Sequence, residues 1–430
     1  MKELKYGMSG PDVELLQLAM QRSGYYDDAV DGVFGPRTLN ALHRFQASFG
    51  LASDGIVGKY TWKQLRPFLV GYFTTKIRPG DTYYRLAKRY DTTVAAIQTA
   101  NPRYSSENLE IGATLIVPYG FDLIPTNVHY TSELMELLIE GLYVRYPFIQ
   151  EGSIGKSVMG KPIYSIIIGN GEKQAFFNAS HHANEWITTP LVMKFMESYL
   201  NAYMNKSTIL GRKAEMLYET TKLFVVPMVN PDGVDLVNGA IDKSNHYYKE
   251  ATAISAAYSF IRFPEGWKAN IAGTDLNLNY PAGWDQAKQI KYAKGYVSPA
   301  PRDFVGTEPL SAPESRAVYD FTLANNFKLI LAYHTQGQVI YWKFHEIEPP
   351  QGYEIGQALA QVSGYLLDTV PDESSNAGYK DWFILEYNRP GYTVEAGLGM
   401  NPLPLAQFGT MYRDNAGLMV TALEETAKLD

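Results

Sequence analysis

The chain has 430 residues, 46% hydrophobic and 19% charged, with a net charge of −7 at pH 7 and no cysteine. That length suits roughly three domains of ordinary globular composition. The acidic balance argues against a sequence-independent nucleic-acid binder, and the lack of cysteine removes thiolate metal sites, cysteine nucleophiles and disulfides, leaving histidine and carboxylates as metal ligands.

No run approaches the ~18 apolar residues of a membrane span. The first seven residues, M-K-E-L-K-Y-G, lack the apolar stretch of a signal peptide. The 32 tyrosines each offer a flat apolar face and a hydroxyl, suited to carbohydrate or peptide surfaces, although ordinary core and surface positions account for most of them.

In chain order, a short repeat comes first. Residues 31–38 read D-G-V-F-G-P-R-T, and residues 54–61 read D-G-I-V-G-K-Y-T. Each copy predicts a tight turn followed by a helix start, with Thr38 and Thr61 as N-caps. Leu39, Leu42 and Phe45 follow at helical spacing, and Pro11 to Met20 gives an earlier helix with Ser9 or Asp12 near its cap. Together they predict a small three-helix bundle over residues 1–71. Residues 4–69 resemble the peptidoglycan-binding domain type 1, the doubled D-G-x-x-G-x-x-T carrying the likeness.

Phe73 to Arg78 alternates like a strand, and 79–82 (P-G-D-T) forms a turn able to cap a helix. Leu86, Ala87 and Tyr90, then Val94 and Ile97, mark two short helices; Asn101-Pro102 breaks the chain, and Leu115 to Pro118 is a return strand. This βααβ order over residues 72–119 resembles a LysM domain, which implies binding to N-acetylglucosamine-containing glycans. Asp81, Thr82 and Asn101 occupy turn positions that a structural role explains as well as a glycan contact does.

A short linker, 120–125, leads into the rest of the chain, residues 120–430 being read as one domain. Helices are predicted over 132–146, 188–203, 210–220, 312–325 and 353–367, and strands over 164–168, 175–178, 223–229, 328–333 and 392–394. Val-, Ile- and Phe-rich strands alternating with helices predict an α/β domain with a mixed, largely parallel sheet flanked by helices. The fold class is therefore multidomain: the helical bundle, the βααβ module and this α/β domain.

Residues 178–187 read N-A-S-H-H-A-N-E-W-I, placing His182 and Glu185 three apart just after an apolar run. If helix follows Ser180, both lie on one face and can share a metal. His334 closes another apolar run and Glu395 a third, so all fall at strand ends, where sites of such sheets gather. Two histidines and one carboxylate leave a fourth zinc position open, the pattern of a hydrolase rather than a structural clamp. The remaining histidines fit less well. The +3 partner of His181 is Asn184, and the H-E-x-x-H look-alike at His345 fails because its last position is Pro349. His43, His129 and His246 have no carboxylate at ligand spacing.

Residues 178–188, 227–233 (P-M-V-N-P-D-G), 267–277 (W-K-A-N-I-A-G-T-D-L-N) and 392–395 (Y-T-V-E) together resemble the M14 zinc carboxypeptidase family over about 310 residues. The resemblance implies that His182, Glu185 and His334 are the zinc ligands and that Glu395 is the general base. It also shows two departures. The family's oxyanion-binding arginine position aligns with Ala272, leaving Arg262, Lys268 and Arg302 as substitutes. The arginine that follows Asn277, which with it grips a free C-terminal carboxylate, is Leu278. Loss of that planar fork favours an internal bond, and the chain then resembles the γ-D-glutamyl-L-diamino acid endopeptidase branch, which cuts peptidoglycan stem peptides.

Residues 375–382, S-N-A-G-Y-K-D-W, correspond to the specificity pocket. The family's mobile tyrosine falls at Glu373 or Ser374, so Tyr379 is the candidate for its role. Lys380 or Arg389 is the candidate partner for a substrate carboxylate. The expected partners are peptidoglycan glycan strands and stem peptides, without nucleic acid or a membrane span, which points to the cell wall or spore. The competing readings are an ordinary metallocarboxypeptidase and a wall-binding protein with weak catalysis.

Overall fold

The computed structural model describes residues 1–105, 109–371 and 374–430. The chain divides into two compact units, one of residues 1–150 with 200–207, the other of 151–199 with 208–430.

In the first unit, helices Pro11–Arg22, Pro36–Ser48 and Lys59–Val70 form the bundle. Two buried amides explain the sequence repeat. Gln17 Nε2 lies 2.7 Å from Asp31 Oδ1 and 3.0 Å from Thr38 Oγ1, while its Oε1 accepts from the backbone N–H groups of Asp31 and Gly32. Gln46 repeats the arrangement with Asp54, Thr61 and the N–H of Gly55. Each glutamine thus satisfies a turn that would otherwise bury unpaired backbone groups. The threonines are not N-caps as expected: the caps are Gly35 and Gly58, and Thr38 and Thr61 sit inside the helices because their hydroxyls are drawn to the buried glutamines. The first helix is likewise preceded by Gly10 rather than capped by a side chain.

Strands Tyr72–Lys76 and Thr114–Pro118 pair antiparallel around helices Tyr83–Arg89 and Val94–Ala100, the βααβ order expected. Thr82 caps the first of these helices by accepting from Arg85 N–H, and Asp81 accepts from Arg78 N–H and pairs with Arg89. Asn101 bonds both the N–H and the C=O of Ile116. All three turn residues therefore hold the module together. Helix Ser132–Arg145, capped by the Thr131 hydroxyl, also belongs to this unit and buries Leu134, Leu138 and Leu142.

The second unit is built on a mixed eight-stranded sheet in the order Leu366–Asp368, Val339–Tyr341, Gly391–Glu395, Phe327–His334, Lys173–Ala179, Thr221–Val226, Pro162–Ile168, Gln150–Lys156. The four central strands run parallel to one another, and both Val339–Tyr341 and Pro162–Ile168 run antiparallel to their inner neighbours. The central strands are apolar almost throughout, with Phe176, Leu329, Ile330 and Leu331 fully buried, as expected for a sheet covered on both faces.

Three predicted segments end differently. The helix over 353–367 stops at Ser363, because Gly364 takes a left-handed turn and Leu366–Asp368 becomes an edge strand. The helix over 210–220 starts only at Ala214, since residues 208–213 form a two-strand hairpin turning at Leu210 and Gly211. The strand over 223–229 ends at Val226. Helices Pro231–Val237, His246–Ala256, Trp284–Ala293, Tyr379–Tyr387 and Phe408–Lys428 were not foreseen.

Candidate metal centre

The site sits at the carboxyl ends of the parallel strands. Strand Lys173–Ala179 stops at Ser180, whose positive φ of 52° turns the chain out of the sheet. That turn is held by Thr188, which accepts from Ser180 N–H at 3.0 Å, and by a 2.8 Å contact between the Ser180 and Thr189 hydroxyls. One turn of 3-10 helix, Ala183–Glu185, follows. His182 precedes that turn and Glu185 ends it, so the three-residue spacing brings both side chains together through a shorter piece of helix than expected. His334 is the last residue of its strand.

Among the described residues, His182, Glu185 and His334 form a group whose ligand atoms all lie within 4.8 Å of one another, all buried. His182 Nδ1 is 3.0 Å from both Glu185 Oε1 and His334 Nδ1, and His334 Nδ1 is 2.9 Å from Glu185 Oε2. Two imidazole Nδ1 atoms facing each other at this distance cannot both present lone pairs without repulsion; a shared cation resolves it. Tetrahedral zinc with Zn–N near 2.0–2.1 Å separates its ligands by roughly 3.3 Å, close to the spacing here. The residues present therefore fit zinc. Asp275 Oδ1, 3.0 Å from His182 Nε2, fixes the far side of that imidazole and orients Nδ1 toward the metal position. His181 stands outside the group, with its Nε2 3.0 Å from the Tyr280 hydroxyl.

The electrostatics follow from burial and charge. Burial works against ionised Glu185, yet His182 and Lys268 outweigh it and hold the carboxyl well below the usual range. Glu395 goes the other way: burial, then the neighbouring Glu185 carboxylate, pushes it up to about 8. Glu185, buried, and Glu395, half-buried, are thus two carboxyls whose surroundings push their proton affinities apart.

Of Arg262, Lys268 and Arg302, Lys268 is the one paired with a residue of the metal group. Its Nζ is 3.4 Å from Glu185 Oε1, and burial, which would discharge it, is overcome by Glu185 and Asp275. The backbone brings it there: Ala183 N–H donates to Lys268 C=O, and both Lys268 and Ala269 N–H groups donate to Pro301 C=O. Ala272, the position expected from the sequence to replace the family's arginine, lies on an exposed turn off the cleft. Arg262 is an exposed partner of Glu265, and Arg302 lines the cleft while bonding Asp303.

A cleft of about 270 Å³ opens beside the metal group, with His182, Lys268, Asp275, Asn277, Lys380 and Glu395 among its walls. Asn277 Oδ1 accepts from Tyr379 N–H at 2.9 Å. Leu278 also lines the cleft and packs with Trp284, Ala287, Val305 and Ala377. Tyr379 does not line it: the ring is fully buried and its hydroxyl meets Thr322 at 2.9 Å, because the helix it opens turns that face into the core. Arg389 is engaged away from the cleft with Asn326 and the Phe327 carbonyl. Glu373 lies outside the described residues. Lys268 and Asp275 were legible as members of the motif over 267–277 but not as neighbours of the metal ligands.

An α/β sheet that gathers a His–Glu–His group fit for zinc at its strand ends is the frame of a metal-dependent hydrolase. The chain matches the zinc carboxypeptidase family over residues 135–414, and so belongs to that family. Residues 9–65 match the putative peptidoglycan-binding domain and 75–118 the LysM domain. It is 44% identical to Gamma-D-glutamyl-L-diamino acid endopeptidase 1 of Lysinibacillus sphaericus over 70% of this chain and 74% of that one. It is 38% identical to the uncharacterized protein YqgT of Bacillus subtilis (strain 168), over 68% of this chain and 77% of that one. The fold is shared with thrombin activatable fibrinolysis inhibitor, at a TM-score of 0.55 and 19% identity over 70% of this chain and 75% of that chain. The chain is thus a metallopeptidase of the cell wall, built on a zinc carboxypeptidase domain preceded by two wall-binding modules.

Proposed function

We propose that the chain is a zinc-dependent endopeptidase that cuts peptidoglycan stem peptides between γ-D-glutamate and the following diamino acid, meso-diaminopimelate above all. The observation that carries this reading is Leu278. An enzyme that grips a free C-terminal carboxylate needs a cation fork on this wall. Here that position of the cleft wall is Leu278, backed by Trp284 and Val305, and it brings no charge to hold a terminal carboxylate. The 44% identity to an endopeptidase of that name supports it independently.

His182, Glu185 and His334 would hold the zinc. When bound, the ion supplies Lewis-acid polarisation of the carbonyl and of water. Glu395 takes the proton from the attacking water and passes it to the leaving amine. Lys268 donates to the oxyanion that develops on the carbonyl oxygen, and its pairing with Glu185 keeps it charged and in place. Asn277 positions the substrate, and Tyr379 contributes through its backbone N–H by holding the Asn277 amide. Lys380 meets a substrate carboxylate. The domains act as residues 1–71 and 72–119 tethering 120–430 to glycan strands, which raises its local concentration at an insoluble substrate.

The test is product analysis of the zinc-loaded full chain on L-Ala-γ-D-Glu-meso-diaminopimelate and on the tetrapeptide ending in D-Ala. Release of L-Ala-D-Glu from both is expected. Loss of D-Ala alone from the tetrapeptide would favour the carboxypeptidase reading, and sacculus binding without cleavage would favour the weakly catalytic wall binder.

A further inference from the structure

We infer that Arg302 binds the free α-carboxylate of the D-glutamate that precedes the scissile bond, so that stems carrying D-glutamate are cut in preference to stems carrying D-isoglutamine. This rests on the stem-peptide reading above and names the substrate charge that the cleft reads. When glutamate is linked through its γ-carboxyl, its α-carboxylate is left as a side branch. That branch lies four carbon–carbon bonds from the scissile carbonyl carbon, about 5 Å when extended. A γ-linked stem therefore presents, close to the bond to be cut, either a carboxylate or, where amidated, a neutral group of the same shape.

The backbone on both sides of Arg302 is tied to the site. The Pro301 carbonyl accepts from the N–H groups of Lys268 and Ala269 at 2.7 and 2.9 Å. Asp303 N–H donates at 3.1 Å to Oδ2 of Asp275, whose other oxygen holds His182. Arg302 thus stands between the segment that carries the oxyanion donor and one that backs a metal ligand, and it lines the cleft with Lys268 and Glu395. The other lysines of the cleft are matched: Lys268 by Glu185, Lys291 by Asp303 and Lys380 by Asp381. Asp303 is shared, because Arg302 Nε donates to its Oδ2 at 2.6 Å while the buried Lys291 holds its Oδ1. Lys291 alone would neutralise that carboxylate, so Arg302 brings a positive charge in excess. Its two terminal nitrogens make no hydrogen bond among the described residues, and the side chain is 46% exposed. An arginine anchored through Nε with both terminal nitrogens unused is a planar fork fit to take a carboxylate with two parallel bonds.

The experiment compares L-Ala-γ-D-Glu-meso-diaminopimelate with its D-isoglutaminyl form on the zinc-loaded full chain. The two differ only in whether the α-carboxylate of the second residue is free or amidated. The free form is expected to have the higher kcat/KM by about tenfold or more. Arg302→Met brings the two within about threefold of each other, and Arg302→Lys, which keeps the charge but not the fork, falls between. Ratios within one variant are unaffected by how much of it folds. Equal rates on the two peptides, or an unchanged ratio in Arg302→Met, overturn the subsite and leave the proposed reaction standing. A third peptide, amidated at the diaminopimelate α-carboxyl instead, guards against the wrong carboxylate. If Arg302→Met erased the effect of that amidation and not of the other, Arg302 would hold a chain terminus and the subsite would be overturned. No cleavage of any peptide overturns the proposed reaction. The subsite is then judged by calorimetric Kd values of the first two peptides, where equal affinities overturn it too.

Discussion

Glu395 and His334 are register partners at the ends of adjacent parallel strands. The pairing matters because a parallel ladder holds its partners at the spacing of neighbouring strands, about 4.8 Å, whatever the loops do. A residue expected to bind metal and a residue expected to move protons are thereby set side by side by the most rigid part of the fold. The third member of the group, the His182–Glu185 turn, leaves the neighbouring strand on the other side of His334.

That placement separates the two roles experimentally. Glu395→Gln keeps the shape but cannot exchange a proton, so kcat is expected to fall by about 10²–10⁴-fold with zinc content unchanged. Turnover alongside metal analysis of the same preparation checks it. A parallel loss of zinc would make Glu395 a ligand instead.

Lys268→Met removes the cation beside Glu185. The expected loss is about 10²–10³-fold in kcat, partly recovered by Lys268→Arg. Ala272→Arg places a cation on an exposed turn off the cleft and is expected to change kcat little. A large gain from Ala272→Arg would return the oxyanion role to that position.

Asp275→Asn tests the orientation of His182. The amide offers a weaker acceptor to His182 Nε2 and no charge, and zinc affinity is expected to drop by about 10–100-fold. A competition titration against a chromophoric chelator reads this directly. Saturating zinc should restore most of the activity, whereas His334→Ala should not be rescued.

Glu314 predicts a pH-dependent stability. It is fully buried, accepts from Val158 N–H and Asn270 Nδ2, and burial pushes its carboxyl up to about 7. A raised carboxyl pKa means the native state holds the proton more tightly than the unfolded chain. Its contribution is therefore complete below about pH 4.5 and is lost as pH rises through about 7, amounting to about 3 kcal/mol. Glu314→Gln cannot ionise. Relative to it, the wild type should lose stability over that window in denaturant titrations, and parallel curves would refute the assignment.

The parts of the site that were legible in the sequence are those whose chemistry restricts residue type. A metal group without cysteine must use histidine and carboxylate, and apolar runs ending in such residues mark strand ends. His182, Glu185, His334 and Glu395 could thus be picked out, as could the repeat at Asp31 and Asp54. Helices such as Tyr379–Tyr387 were missed because their residues are buried on most sides, which erases the amphipathic period that reveals a helix.

By itself the sequence determined the family, the three modules and the metal group, because each depends on residue identity at short spacing. Only the tertiary structure decided which cation stands beside Glu185, that Asp275 reaches His182 from 93 positions away, that Tyr379 faces the core, and that Lys380 and Asp381 share the cleft. Those facts depend on where loops after different strands direct their side chains. Loop direction is set by packing and backbone hydrogen bonds among distant segments, such as Ala183 with Lys268 and Lys268 with Pro301, which no local spacing records.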